Sequence, residues 1–336
     1  MKSTEMIIMK PITGAWFEFR HHSKAEGQLY NDALRSFTGA QWAAMIRDAR
    51  VLGMDTLVLT CSSLVYREES ESYAPVDIFP PAAMACENPM DVLMDTAEKE
   101  GMGVFLSAGF YGFWEDSEGN MKSREVEQRA FRACEEMYAR YAGRASFRGW
   151  YLPDETEAGP YFSPVFLDYV ARYAAFFRKL DAKKTIMIAP FGTNKIVPDD
   201  TFVKQLASMD VDYIAYQDEV GVQKSKAEDT AAYYRGLRQA HDRAGRSKLW
   251  ADIEMFDFTG PVYRSALVPA PMERIAKQLA SVSPYVDKVL CYAFPGLLSR
   301  PGSPACYPGG GQDKLYADYL DWYRKLTYCC IQHIGS

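Results

Sequence analysis

The sequence has only four histidines in 336 residues, and none of its cysteines stand in a CxxC spacing. These scarcities argue against a histidine-rich metal centre, a zinc finger and a thioredoxin-type redox motif. There is no GxGxxG and no GxxxxGK[ST], so the common phosphate cradles of dinucleotide and nucleotide sites are missing. There is no GxSxG elbow to carry a serine nucleophile. No apolar run approaches the ~18 residues of a membrane span. The opening "MKSTEMIIMKPITG" holds an apolar stretch too short for a signal peptide, which leaves export open if a leader precedes it. No basic run offsets the formal charge of −6, so an extended nucleic-acid groove is not expected. Short sequence repeats are absent too.

What is present fits a soluble globular chain. Hydrophobic residues make up 48% and charged residues 24%, and the length suffices for a large core. Seven cysteines are an odd number: Cys61, Cys86, Cys134, Cys291, Cys306, Cys329 and Cys330. Several fall in predicted strands or helices, where cysteine acts as a small hydrophobe, so no disulfide framework is expected. The adjacent Cys329 and Cys330 receive no function.

A repeat of element type runs through the chain. Strands are predicted at 12–19, 56–63, 103–111, 147–152, 185–193, 213–221, 248–257 and 288–296, from short β-branched and aromatic runs. Helices are predicted at 40–53, 89–101, 123–143, 163–181, 199–209, 227–245, 271–284 and 311–327, from apolar residues at helical spacing with Pro, Asp or Gly at their ends. Strict alternation implies a parallel sheet with right-handed crossovers. Eight such units close most simply into an α/β (β/α)8 TIM barrel, here a single domain over residues 1–336. Long strand-to-helix loops are expected near 20–37, 64–88, 112–122 and 258–270, all on the face where such barrels keep their chemistry.

The strands end in acids. "GWYLPDE" runs from Gly149 to Asp154 and Glu155, "YQDE" holds Gln217, Asp218 and Glu219, and "ADIE" holds Asp252 and Glu254; the first strand carries Glu18, Arg20, His21 and His22. A charge pointing into a barrel is costly unless paired or functional, so these ends predict a pocket. Two carboxylates flanking one bond are the minimum for glycoside hydrolysis, one protonated and one ionised. Glu155 after strand four and Glu254 on strand seven take the acid/base and nucleophile positions of retaining barrel glycosidases. Aromatics crowd the same ends and suit the flat faces of sugar rings: Trp114 first, then Tyr111, Tyr216 and Tyr292, with Trp16 and Phe256 beside them. His21 is expected to hydrogen-bond substrate. His241 lies in a predicted helix and His333 in the tail, so no metal ligands and no cofactor are assigned.

Four stretches, "GWYLPDE", "APFGTNKIVPDDTF", "DYIAYQDEVGVQ" and "LWADIEMFD", resemble the bacterial family catalogued as domain of unknown function 4434. The resemblance spans "PITGAWFEF" to "VLCYAFPG" and implies a glycoside-hydrolase-like barrel, carbohydrate hydrolysis and, in many members, export. It places the family's glutamates at Glu155 and Glu254 and its Gln-Asp pair at Gln217 and Asp218; Asn194 sits in the second stretch, and with Asp154 and Glu18 completes the candidate substrate contacts. The expected partner is a carbohydrate. Two further readings stay open: a non-catalytic glycan-binding barrel, and a metal-dependent sugar isomerase or lyase.

Overall fold

A computed structural model describes residues 9–307 and 310–334, with side chains to residue 328. The side chains of Cys329, Cys330 and His333 and the first eight residues of the N-terminal stretch lie outside what is described. Eight parallel strands close into one barrel. They are β1 (Ile12–Phe17), β2 (Thr56–Leu59), β3 (Gly103–Ser107), β4 (Phe147–Leu152), β5 (Thr185–Ile188), β6 (Tyr213–Gln217), β7 (Lys248–Glu254) and β8 (Lys288–Tyr292). Closure comes from β1, which pairs with β2 on one side and β8 on the other. The fold is the predicted (β/α)8 barrel.

Strand periodicity sorts the core into two layers. Trp16, Val58, Phe105, Tyr151, Met187, Ala215, Trp250 and Leu290 point inward and fill the barrel. Their neighbours along the strands, such as Phe17, Leu59, Leu106, Trp150, Ile188 and Ile253, point outward and pack against the helices. Each fully buried side chain of this size contributes roughly 1.5–3 kcal/mol, so the barrel wall is stabilised from both faces. The interior is therefore packed, and the barrel is no channel.

The helices begin where the sequence supplies caps. Thr38 and Gln41 form a capping box ahead of Gly39–Val51. Ser163 accepts from the Phe166 amide, with Pro164 at the first helical position, and Asp199 accepts from the amides of Thr201 and Phe202. Gly245 closes Thr230–Ala244 at φ 63°, a conformation only glycine adopts freely.

The main departures from the predicted elements are at the strand ends. Several strands stop earlier than expected, at Phe17, Leu59, Ser107, Ile188 and Gln217, because the residues beyond leave the ladder to form the mouth. The four long loops are also more ordered than expected. They carry the hairpins Ser63–Val65/Ser70–Ser72 and Phe256–Phe258/Leu267–Pro269 and the short helices Asn31–Arg35 and Ser117–Lys122. No described helix is long and apolar enough to cross a membrane.

Candidate functional site

Above the packed interior, the strand ends enclose a cavity of about 510 Å³. On β7 the period of two places Trp250, Asp252 and Glu254 on one face: Trp250 joins the barrel filling, and the two acids rise above it to line the cavity. On β4, Tyr151 caps the filling and the chain continues through Pro153 to Glu155 on the cavity wall. Gln217 ends β6, Tyr292 ends β8, and His21 and His22 follow β1; all four line the same space. Trp114 and Phe256 add aromatic walls.

Glu155 accepts a hydrogen bond from Tyr151 Oη at 3.3 Å. Burial raises its carboxyl to about 7, against the pull of Gln217 and Tyr151, with Asp154 and Glu219 adding to the rise. Glu254 accepts from the Val222 amide at 2.8 Å. Burial first, then the neighbouring Asp218, pushes its carboxyl well up. Asp252 is pushed up as well, by burial and then by Glu254, Asp218 and Glu155, and its Oδ1 has no hydrogen-bond partner. Asp218 is the best supplied with donors: Gln278 Nε2 at 2.7 Å and the amides of Val220 at 3.2 Å and Glu254 at 3.1 Å. Asp252 is the worst supplied, its Oδ1 having no partner.

The β1 wall is a separate cluster. His21 Nδ1 lies 2.8 Å from Glu18 Oε1, and His21 Nε2 lies 3.2 Å from Glu26 Oε2. Burial opposes charge on this ring, but the two carboxylates outweigh it and lift His21 to about 9. Tyr292 Oη donates to Glu18 Oε2 at 3.3 Å. Among the described residues, Glu18, His21 and His22 are the group whose donor atoms lie close enough to hold a metal ion.

Not every predicted contact reaches the cavity. Glu155, Glu254, His21, Trp114, Gln217, Phe256 and Tyr292 line it. Trp16 is spent in the barrel filling, in edge contact with Tyr151. Tyr216 falls on the outward parity of β6 and meets His241 Nε2 at 3.1 Å, behind the wall. Tyr111 turns outward and is bound to Ser62 Oγ at 2.9 Å. Asp154 is buried on Asn120 Nδ2 at 3.0 Å. Asn194 donates to the Lys224 carbonyl at 3.0 Å. Asp218 is fully buried beneath Glu254, and Glu18 stands behind His21. These seven side chains are held in the barrel filling or in hydrogen bonds behind or beside the cavity wall.

The cavity also holds residues outside the predicted set: Glu219, Lys224, Tyr263, Glu26 and Phe191. Glu219 is a non-glycine residue at φ 55°, its Oε2 accepting from the Thr193 amide at 2.9 Å. Its signal was the acid run "QDE". Lys224 and Tyr263 come from loop segments with no motif to mark them.

Among solved structures, the chain is similar to a proposed alpha-L-fucosidase from Bacteroides thetaiotaomicron, with 16% identity, a TM-score of 0.73 and coverage of 97% of this chain and 98% of that one. It is similar to a glycoside hydrolase family 5 mannosidase from Rhizomucor miehei, with 12% identity, a TM-score of 0.53 and 94% coverage of both chains. It is also similar to a family 2 beta-galacturonidase from Eisenbergiella tayi, with 14% identity and a TM-score of 0.55; it covers 94% of this chain but only 51% of that one. At these identities the likeness shows the fold. No curated protein matches the sequence. Residues 12–305 match the family described as Domain of unknown function (DUF4434), and the chain belongs to that family.

Proposed function

We propose that this protein is a glycoside hydrolase acting on an oligosaccharide or glycoconjugate by a retaining, two-carboxylate mechanism. The observation that carries this reading is that Glu155 after β4 and Glu254 on β7 line one cavity, with Glu155 held near 7 by burial. Glu155 enters protonated and gives its proton to the departing glycosidic oxygen as that C–O bond breaks. Glu254, as a carboxylate, attacks the anomeric carbon from the other side to form a glycosyl ester. Water then attacks the same carbon, Glu155 takes the water's proton, and Glu254 leaves.

The surrounding residues fit these roles. The Val222 amide fixes one oxygen of Glu254, and Asp218 with Gln278 fixes the strand beneath it. Ionising Glu254 is opposed first by burial and then by Asp218. Positive charge growing on the sugar ring then favours the Glu254 anion. Trp114, Phe256 and Tyr292 supply apolar faces for sugar C–H groups. The similar structures include enzymes named for fucose, mannose and galacturonate, so they support sugar chemistry without naming the sugar.

The test is a broad glycan panel run with the parent protein, Glu155→Gln and Glu254→Gln. Loss of at least ~10²-fold in turnover is expected for each variant. A 2-fluoro glycoside of the cleaved sugar should label Glu254, as read by peptide mass. Full turnover by both variants on a substrate the parent cleaves rules the assignment out.

A further inference from the structure

The two-carboxylate chemistry leaves the β1 wall unused. We propose that Glu18, His21 and His22 form a binding site for one divalent transition-metal ion of the zinc class, open to the cavity on the side of β1. The proposal does not depend on the hydrolase reading, because Glu155 and Glu254 belong to other strands.

The donor set comes first. The carboxylate and the two imidazoles each offer a ligand atom, and these atoms lie within 4.8 Å of one another. Tetrahedral ligands at the usual zinc distances stand roughly 3.3–3.5 Å apart, so side-chain movements of about an ångström or less would close the set. Two imidazole nitrogens with a single carboxylate favour zinc, cobalt or nickel over magnesium or calcium, which prefer oxygen alone.

Neighbouring side chains already hold the ligands in position. Glu26 Oε2 lies 3.2 Å from His21 Nε2, so Nδ1, which stands 2.8 Å from Glu18 Oε1 and 3.1 Å from Tyr292 Oη, becomes the ligand atom when a metal displaces its proton. This is the carboxylate–histidine pattern that orients metal-bound imidazoles. Tyr292 Oη sits 3.3 Å from Glu18 Oε2 and steadies the carboxylate. The backbone is fixed as well: Asn31 accepts from the His21 amide at 2.8 Å and donates to its carbonyl at 3.1 Å.

His22 separates a metal site from a simple ion pair. A proton on His21 shared between Glu18 and Glu26 satisfies those three groups and leaves His22 out. Yet His22 Nδ1 is buried and has no hydrogen-bond partner. Its ring is clamped between His21, 4.5 Å away, and Trp114, 4.8 Å away. A buried nitrogen held in place without a protein partner is open to a ligand, and a metal shared with its neighbours would supply one. His21 and His22 both face the cavity. Three protein ligands leave the fourth position free for water or a substrate hydroxyl.

The experiment uses the untagged full chain, stripped with a chelator and titrated with Co²⁺ and then Zn²⁺. Visible absorption follows cobalt, and calorimetry with elemental analysis follows zinc. About one equivalent is expected, with tetrahedral-type cobalt bands that zinc removes. His22→Ala lies on a half-buried loop, keeps the fold and should weaken zinc by at least ~10-fold; Glu18→Gln should do the same. Glu155→Gln and Glu254→Gln should bind zinc as the parent does. Retention of less than about a tenth of an equivalent by the parent, or undiminished binding by His22→Ala, overturns the proposal. Neither result depends on turnover, so failure here and failure of the hydrolase reading are distinguishable.

Discussion

Glu155 combines two measurable properties in one side chain. As a general acid near 7, it must hold its proton, so kcat/KM should fall as pH rises through about 7. A pH–rate profile checks this; an alkaline limb that is absent, or that persists in Glu155→Gln, counts against the role. The same carboxyl affects stability. Its folded value is above its ordinary 4.5, so below that pH it is neutral in both states and no penalty applies. As pH rises from about 4.5 to about 7 the unfolded chain ionises while the folded carboxyl keeps its proton, so the folded state loses up to ~3 kcal/mol, a loss that stays constant above about 7. Glu155→Gln should therefore gain stability over the parent at pH 8 but not at pH 4.5, read by denaturant midpoints. How far the site was legible follows from the same physics. Glu155 and Glu254 stood out because acids rarely end buried strands. Asp218 next to Gln217 could not be told from a cavity residue, since its partner Gln278 lies 60 residues away in the chain. Tyr216 and Gln217 are adjacent, and parity alone sends one to the helices and the other to the cavity.

Between elements, one close joint of the site is Gly221 against Glu254 of β7. A Cβ there would sit 2.8 Å from the Phe256 carbonyl oxygen and 2.9 Å from Glu254 Cβ, closer than side chains approach. Gly221→Ala should push Glu254 out of place and lose roughly 1–3 kcal/mol of stability. The expected signature is a fall in kcat of about tenfold or more with the protein still folded. Unchanged kcat and unchanged melting would show that the joint gives way freely. The order of strands and helices was readable because each runs long enough to show a period. The two hairpins were not, since their strands are three residues long and show no repeat before they end. They hold together through contacts with the rest of the mouth. Strand ends were overestimated for the related reason that a ladder needs a partner of equal length, which a sequence does not display.

Over the whole molecule, the first strand and the last helix meet at the closing seam. Tyr319, on helix Gln312–Ile334, accepts from the Ile12 amide at 2.8 Å and donates to the Ile12 carbonyl at 3.4 Å, pinning the start of β1 beside β8. Tyr316 Oη donates to the Asp48 carbonyl at 2.8 Å. Tyr319→Phe should lose about 1 kcal/mol, and Tyr319→Ala about 3–5 kcal/mol, in chemical denaturation. Equal effects from the two would mean that the ring contributes nothing beyond its hydroxyl. The closed barrel was legible from alternation alone, but which residues lock the seam was not, because Ile12 and Tyr319 are 307 positions apart. The filled interior has a further consequence. With Trp16, Tyr151 and Trp250 filling the barrel, nothing threads it from end to end. Whatever enters from the mouth face must leave by that same face.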